Sequence, residues 1–208
     1  MEDNLRSVLL REAARLFAAK GFDATSVQDV VEAGEVTKGA FYYHFESKDE
    51  LLHEIHQRFI TYELEQAEVI LSRGLSPRET LHSLVVSLVE SIALFQPEVT
   101  IFFREMHRLS PGKFEEVRTR RDRYERMFRS VIEKGQEIGA FRRDISPTLQ
   151  TLALFGMCNW TYMWYRQQGE WTPQDVGGIL ASIFLAGVDA WPALDIAQSR
   201  EPIGASEL

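Results

Sequence analysis

Residues 37–48 read TKGAFYYHFESK. Phe41 and Phe45 stand four apart, one helical turn, the spacing at which two side chains share a face and can be pressed into a core. Lys38, Gly39, Tyr42, Tyr43 and His44 fall outside that face. Glycine costs a helix roughly 1 kcal/mol relative to alanine. A short helix that includes one, and turns two tyrosines and a histidine outward, is built for more than packing.

Working back from this stretch, a first helix near residues 4–20 ends in Lys20-Gly21-Phe22. Glycine just past a helix end, followed by a hydrophobe, marks a left-handed C-cap whose next residue folds back on the helix. A second helix near 27–33 carries Val27, Val30 and Val31 on one face and stops at Ala33-Gly34. Gly34-Glu35-Val36-Thr37 is short enough to be a tight turn, with Thr37 as N-cap of the third helix, near 37–45. Two short helices joined by a glycine-containing turn make a helix-turn-helix. In that motif the second helix enters the major groove, N-terminal part towards base edges and phosphates. Lys38 then supplies a charge, Gly39 permits close backbone approach, and Thr37, Tyr42, Tyr43 and His44 can donate to phosphate oxygens. Lys48 falls in the first turn of the next helix, where free N–H groups favour an anion.

Charge does not make the case for DNA. The 208 residues carry a net charge of −8, and residues 1–50 hold six Lys or Arg against ten Asp or Glu, a net of −4. Contact with a polyanion must come from positioned groups, not bulk attraction.

From Ala13 to Leu52 the sequence resembles the DNA-binding half of the TetR family of one-component repressors. Phe17, Gly21, Phe22, Thr25, Val27, Gly34, Lys38, Gly39, Phe41, Tyr42, His44, Phe45, Lys48 and Leu51 carry the likeness. The resemblance implies an all-α fold, with a three-helix DNA-binding domain over 1–48 and a six-helix effector-binding and dimerisation domain over 49–191. It implies DNA contacts by Thr25, Thr37, Lys38, Gly39, Tyr42, Tyr43, His44 and Lys48. The family often has a more basic N-terminal arm; Met1-Glu2-Asp3 is acidic here.

Beyond residue 45 nothing reads as strand. Apolar positions recur at three and four, as in Leu51, Leu52, Ile55, Phe59 and Leu81, Leu84, Val85, Leu88. Ser76-Pro77, Ser110-Pro111, Ser146-Pro147 and Thr172-Pro173 each set a capping hydroxyl before a proline suited to the first helical position. Six longer helices are expected near 47–73, 77–95, 98–109, 113–138, 147–167 and 173–190, about nine in all with the first three. Residues 192–208 have no amphipathic pattern and are expected to fray. With one cysteine, Cys158, an internal disulfide is excluded. No apolar run reaches bilayer-spanning length and the start MEDNLR is no signal peptide, so a cytoplasmic protein without a membrane partner is expected.

A metalloenzyme is the rival reading. Glu50-Leu-Leu-His53 and Glu79-Thr-Leu-His82 both have the Glu-x-x-His spacing of di-iron bundles. Each glutamate, however, stands three residues after a serine at a helix start, where it completes a capping box. His53-Glu54-Ile55-His56 misses the zinc-protease spacing by one residue. No metal, no cofactor and no catalytic residue are expected. The run Arg118, Arg120, Arg121, Arg123, Arg126, Arg129 is interleaved with Glu116, Asp122 and Glu125 at i, i+4, the pattern of a solvated face. Arg121 and Arg123, without such partners, are candidates for an anionic ligand.

Aromatic and sulfur side chains crowd the sixth to eighth predicted helices. Core packing uses such residues, and so does an adaptable apolar pocket. Phe102, Phe103, Met106, Tyr124, Phe128, Trp160, Met163 and Trp164 are the candidate apolar wall, and His107, Asn159, Arg121, Arg123 and Arg166 its polar members. Gly156 to Val176, GMCNWTYMWYRQQGEWTPQDV, looks like the matching stretch of TetR-type repressors of fatty-acid, aromatic-acid and steroid breakdown, which answer to acyl-CoA thioesters. Many of these have an arginine where Met163 stands and a proline after Arg166. The likeness implies a repressor that binds a palindromic operator in double-stranded DNA and is released by an acyl-CoA or hydrophobic acid. A multidrug-type repressor of an exporter is the alternative. It also implies a homodimer through the last two predicted helices, with Leu152, Phe155, Trp160, Ile179, Ile183, Phe184 and Val188 as their apolar stripe.

Overall fold

The computed structural model describes residues 2–189. Among them the fold is all-α: α1 (Glu2–Lys20), α2 (Val27–Ala33), α3 (Lys38–His44), α4 (Lys48–Leu71), α5 (Pro77–Leu94) and α6 (Gln96–Glu105) are followed by a 3-10 turn at Met106–Arg108. Then come α7 (Pro111–Glu137), α8 (Pro147–Asn159), α9 (Thr161–Trp164) and α10 (Pro173–Val188). A lone antiparallel bridge joins Phe141 to Asp189. The tail expected over 192–208 lies outside the described residues. No single described helix is long and apolar enough to cross a membrane.

The helix starts follow the capping chemistry of the sequence. Ser26 with Asp29, Ser76 with Glu79 and Thr172 with Asp175 form reciprocal capping boxes. Ser47 accepts from the Glu50 N–H at 3.1 Å, but the Glu50 carboxylate reaches past it to the Glu46 N–H. Gly21 is left-handed at φ +89°, and Phe22 folds back edge-on against Phe17, ring centres 5.2 Å apart. In the next turn the left-handed residue is Glu35, at φ 54°, not Gly34. Gly34 is needed for closeness: a Cβ there would lie 3.3 Å from the Val30 carbonyl oxygen and 3.4 Å from Val8.

The helix expected over 147–167 breaks at Trp160 into α8 and α9. Gln96 explains the break, since its side-chain amide donates to the carbonyls of Tyr162 and Tyr165 at 3.1 and 3.2 Å and fixes the chain in its departing course. Gln167 adds a hydrogen bond to the Ala93 carbonyl at 2.9 Å. A continuous core runs through both halves, from Leu9, Phe17, Phe41 and Phe45 through Leu51, Ile55 and Leu84 to Phe128, Leu154, Cys158 and Leu185. α4 is shared by the two halves, packing on α1, α5, α6 and α7.

α10 lies so close on α5 that a Cβ at Gly177 would meet the Val86 Cα at 2.8 Å. The obstacle is backbone, so it cannot swing aside. Gly177→Ala is therefore expected to lose stability. Overpacking costs about 1–3 kcal/mol, which outweighs the roughly 1 kcal/mol of helix propensity gained. Thermal denaturation should show the midpoint a few degrees lower; an unchanged or higher midpoint would mean that α10 can lift off α5 freely.

Candidate nucleic-acid interface and effector cavity

α3 buries Phe41 completely and Phe45 almost so, while Tyr42 is 57% and Tyr43 73% exposed. Thr37 caps the helix, accepting from the Ala40 N–H at 3.1 Å. Lys38 is exposed and has no ion-pair partner among the described residues, and Gly39 is exposed, the nearest atom to a Cβ there being Thr37 Oγ1 at 3.8 Å. His44 is half-buried, its ring edge-on to Tyr43 at 5.0 Å. Thr37, Lys38, Gly39, Tyr42 and Tyr43 thus lie together on one exposed ridge of a seven-residue helix that its two phenylalanines hold down.

Two expected DNA contacts are placed otherwise. Thr25 is fully buried, its hydroxyl donating to the Gly21 carbonyl at 2.8 Å and its N–H to the Phe22 carbonyl at 3.2 Å. Its side chain offers nothing to a ligand outside; it shapes the turn between α1 and α2. Lys48 donates from Nζ to the Phe22 carbonyl at 2.7 Å and the Thr25 carbonyl at 2.8 Å, and sits 4.2 Å from the centre of the Phe22 ring. Two of its three protons are spent inside the domain, pinning the start of α4 to the turn ahead of the reading helix. A lysine whose partners are carbonyls has no sequence signature, which is why this grip is visible only in three dimensions.

A cavity of about 110 Å³ opens among α4, α5, α6, α7 and α8. Of the residues expected to form it, Phe102, Phe103, Arg121, Tyr124 and Asn159 line it. Phe59, Ile60, Leu88, Ile92, Val99, Leu152 and Phe155 complete the apolar wall, and Glu63 and Glu125 add carboxylates. The residues on α4 and α5 were missed because their apolar spacing reads as ordinary core. Phe128 stands behind the wall, buried against Tyr124 and Phe155 with ring centres at 5.1 and 4.9 Å.

The other expected wall members lie elsewhere. Trp160 is 60% exposed at the α8–α9 break, and Met163 and Trp164 on α9 are exposed as well. Met106 and His107 fall in the 3-10 turn, below the cavity-lining part of α6. Arg123 pairs with Glu68 on α4. Arg166 donates to the carbonyls of Met163 and Tyr165 at 3.4 and 3.1 Å, at a separate surface recess beside Gln96 and Pro97. For Trp160, Met163, Trp164 and Arg166 the break between α8 and α9 is the common cause, because it takes them out of the helix that lines the cavity. The arginine run on α7 also departs from the expected pattern: Arg120 crosses to Gln57 and Thr61 of α4 instead of pairing with Glu116. Arg121 has no acidic partner among the described residues.

One buried titratable group, Glu63, lines the cavity, and another, His56, packs against the lining residue Phe102. Glu63 is 1% exposed; Ser91 donates to its Oε1, and its Oε2 has no hydrogen-bond partner among the described residues. Burial pushes its carboxyl up to about 7, against the opposing pull of the Ser91 and Tyr124 hydroxyls. A buried polar atom left unpartnered costs about 1–3 kcal/mol. His56 is fully buried with both ring nitrogens unpartnered, edge-on to Phe102 at 5.5 Å. Burial, with His53 adding to it, pushes its pKa down to about 3, so it is a neutral ring at physiological pH. Elsewhere Glu79 caps its own helix start and His82 is exposed, so the pair is committed to the N-terminus of α5.

Two elements run from this cavity to the reading head. α4 carries Lys48 as its first residue and Glu63 farther along. α6 carries Phe102 and Phe103, then Glu105, which accepts from the Phe22 N–H at 3.4 Å. Arg108 follows with an ion pair to Asp23 at 2.8 Å.

Residues 9–55 match the tetR family of bacterial regulatory proteins, and residues 74–188 match the tetracyclin repressor-like C-terminal domain. The chain is 32% identical over 184 residues to the HTH-type transcriptional repressor KstR2 of Rhodococcus jostii RHA1, a match covering 88% of this chain and 90% of that one. It superposes on the solved structure of the ketosteroid transcriptional regulator KstR2 of Mycobacterium tuberculosis with a TM-score of 0.83, at 30% identity over 88% of this chain and 94% of that one. AibR, solved in complex with isovaleryl coenzyme A and operator DNA, shares the fold at a TM-score of 0.76 and 23% identity, over 86% and 97% of the two chains. The chain belongs to the tetR family of bacterial regulatory proteins and is a transcriptional repressor, not an enzyme.

Proposed function

We propose that this repressor reads a palindromic operator as a homodimer and lets go of it when an amphipathic acid or acyl-CoA occupies the cavity. The observation that carries the DNA half is the division of α3: Phe41 and Phe45 inside, Lys38, Tyr42 and Tyr43 outside. Residues 1–48 form the reading unit in this proposal, with Thr37, Gly39 and His44 completing its surface, and the helices from residue 49 onward bind effector and dimerise. Leu149 and Leu152 of α8 and Ile179 and Ile183 of α10 are all more than half exposed, an apolar face that a second copy would cover.

The effector half rests on an apolar cavity with Arg121 unpaired at its wall. At about 110 Å³ the cavity is smaller than the roughly 300–1,000 Å³ of a site enclosing a whole drug-sized ligand. A short acyl chain or ring fits inside, while a phosphate-bearing remainder lies outside, towards Arg121. Filling the cavity displaces the Phe102–Phe103 face of α6 and the Glu63 face of α4, and both elements hold the α1–α2 turn. Two reading helices must keep a spacing of about 34–36 Å or a multiple of it; a differential affinity of about 1–3 kcal/mol between the two states changes DNA binding 5- to 150-fold. Glu63 and Glu125 in the same lining favour a second reading, in which a cationic drug is the effector of an exporter's repressor.

On an operator selected from random duplexes, Lys38→Ala and Tyr43→Ala are expected to weaken binding by about 1.5–3 kcal/mol, the worth of a hydrogen bond to a charged group, with thermal midpoints unchanged. Lys38→Ala should also lower the salt slope by about one. Lys48→Ala should weaken binding too, but with a lowered midpoint, because it leaves two carbonyls without their charged donor. Wild-type affinity in both Lys38→Ala and Tyr43→Ala would overturn the assignment of α3.

For release, thermal shift and DNA dissociation are followed with a series of acyl-CoAs, hydrophobic acids and cationic drugs. A ligand at 100 times its dissociation constant adds about 2.7 kcal/mol to the native state. Arg121→Glu should raise the acyl-CoA concentration for half-release about tenfold or more, equivalent to about 1.4 kcal/mol, with DNA affinity in its absence unchanged. Trp160→Ala should release normally. If only cationic drugs shift the midpoint, the second reading holds; if no compound of any class does, the cavity is not an effector site.

A further inference from the structure

We propose that Glu63 is a binding residue, its free Oε2 meeting an uncharged oxygen of the effector, a ketone or a hydroxyl, set within an otherwise apolar body. The inference deepens the effector reading of the cavity and rests on it. Glu63 projects from α4 into a wall of Phe59, Ile60, Leu88, Ile92 and Phe102, where only the hydroxyls of Ser91 and Tyr124 favour its charged form. One oxygen is anchored by Ser91; the other is buried, unpartnered and lines the space a ligand would fill. Structural carboxyls in a core have their remaining lone pairs satisfied, so a half-satisfied one at a cavity wall is a vacancy shaped for a polar atom of a guest.

The chemistry of that atom follows from the surroundings. A carboxylate guest would set two acids side by side in an apolar site, which like-charge repulsion and desolvation both oppose. Burial raises the Glu63 carboxyl to about 7, so near neutrality it can donate to a carbonyl oxygen when protonated or accept from a hydroxyl when ionised. An anionic end of the effector is thereby directed away from Glu63, towards Arg121. Apolar pockets discriminate weakly between shapes that differ by one group, whereas a site left with an unpaired polar atom rejects the guest that lacks its partner.

A matched series tests this: indane, 2-indanol, 2-indanone, 2-aminoindane and indane-2-carboxylate, titrated calorimetrically into the full-length wild type, Glu63→Leu and Glu63→Gln. In the wild type, 2-indanol or 2-indanone should bind about tenfold tighter than indane and tighter than either charged member, and which of the two leads identifies the guest's oxygen. Glu63→Leu should abolish that preference and bind indane at least as well as the wild type does; Glu63→Gln, with a donor and an acceptor on the same frame, should retain it. Equal wild-type affinity for indane and its oxygenated forms overturns the proposal, as does tightest binding of the amine, or a preference that survives in Glu63→Leu. In each of those cases binding of the series leaves the cavity as a ligand site. Absence of binding by every member to every form removes the effector reading and this proposal with it. The wild-type ranking stands as a test by itself should Glu63→Leu not fold.

Discussion

The ammonium of Lys48 is where the two halves of the molecule become one mechanical object. At the first residue of α4 it grips the carbonyls of Phe22 and Thr25, so the helix that supplies the floor of the effector cavity is fastened to the turn that orients α2 and α3. Over its 24 residues α4 is roughly 36 Å long at 1.5 Å per residue, long enough to join the two sites without any intermediary. Charge-assisted bonds to backbone carbonyls are short and directional, and the ammonium also lies over the Phe22 ring. In the proposed function this is the path by which a displacement at Glu63 is carried along α4 to Lys48 and the α1–α2 turn.

α6 reinforces the same connection from another side. Glu105 reaches the Phe22 N–H and Arg108 pairs with Asp23, so the turn after α1 is held by elements from both flanks of the cavity. Asp49 adds a further tie, accepting from Lys113 at 2.6 Å and from the Ser110 N–H at 3.3 Å. Phe22 is common to three of these interactions. Its backbone and ring together make it the point at which the effector half and the DNA-reading half meet.

Much of this architecture is legible in the sequence. Period and punctuation place the helices because Ser76, Ser146 and Thr172 before a proline each cap the helix that follows, while before Pro111 the proline marks the start and Ser110 makes no side-chain cap; α3 is readable because two phenylalanines one turn apart can face only one core. What escaped has definable causes. The break at Trp160 depends on Gln96, far back in the chain, bonding the carbonyls of Tyr162 and Tyr165, which local patterning would leave in one helix. The cavity wall on α4 and α5 is written in the same leucines, isoleucines and phenylalanines as the core beside it, so only the space between the helices separates the two. The internal contacts of Thr25 and Lys48 also escape the sequence, because their partners are backbone carbonyls, which carry no residue signature.

Cys158 has a consequence of a chemical kind. It is fully buried in α8, and burial pushes its thiol up to about 12, so at neutral pH only on the order of one molecule in 10⁵ carries the thiolate. The thiolate is the form that peroxides, disulfides and alkylating reagents attack. The chain's one sulfhydryl is thus inert while the fold is closed. The same silence makes Cys158 a reporter of unfolding: its labelling begins when α8 leaves the core.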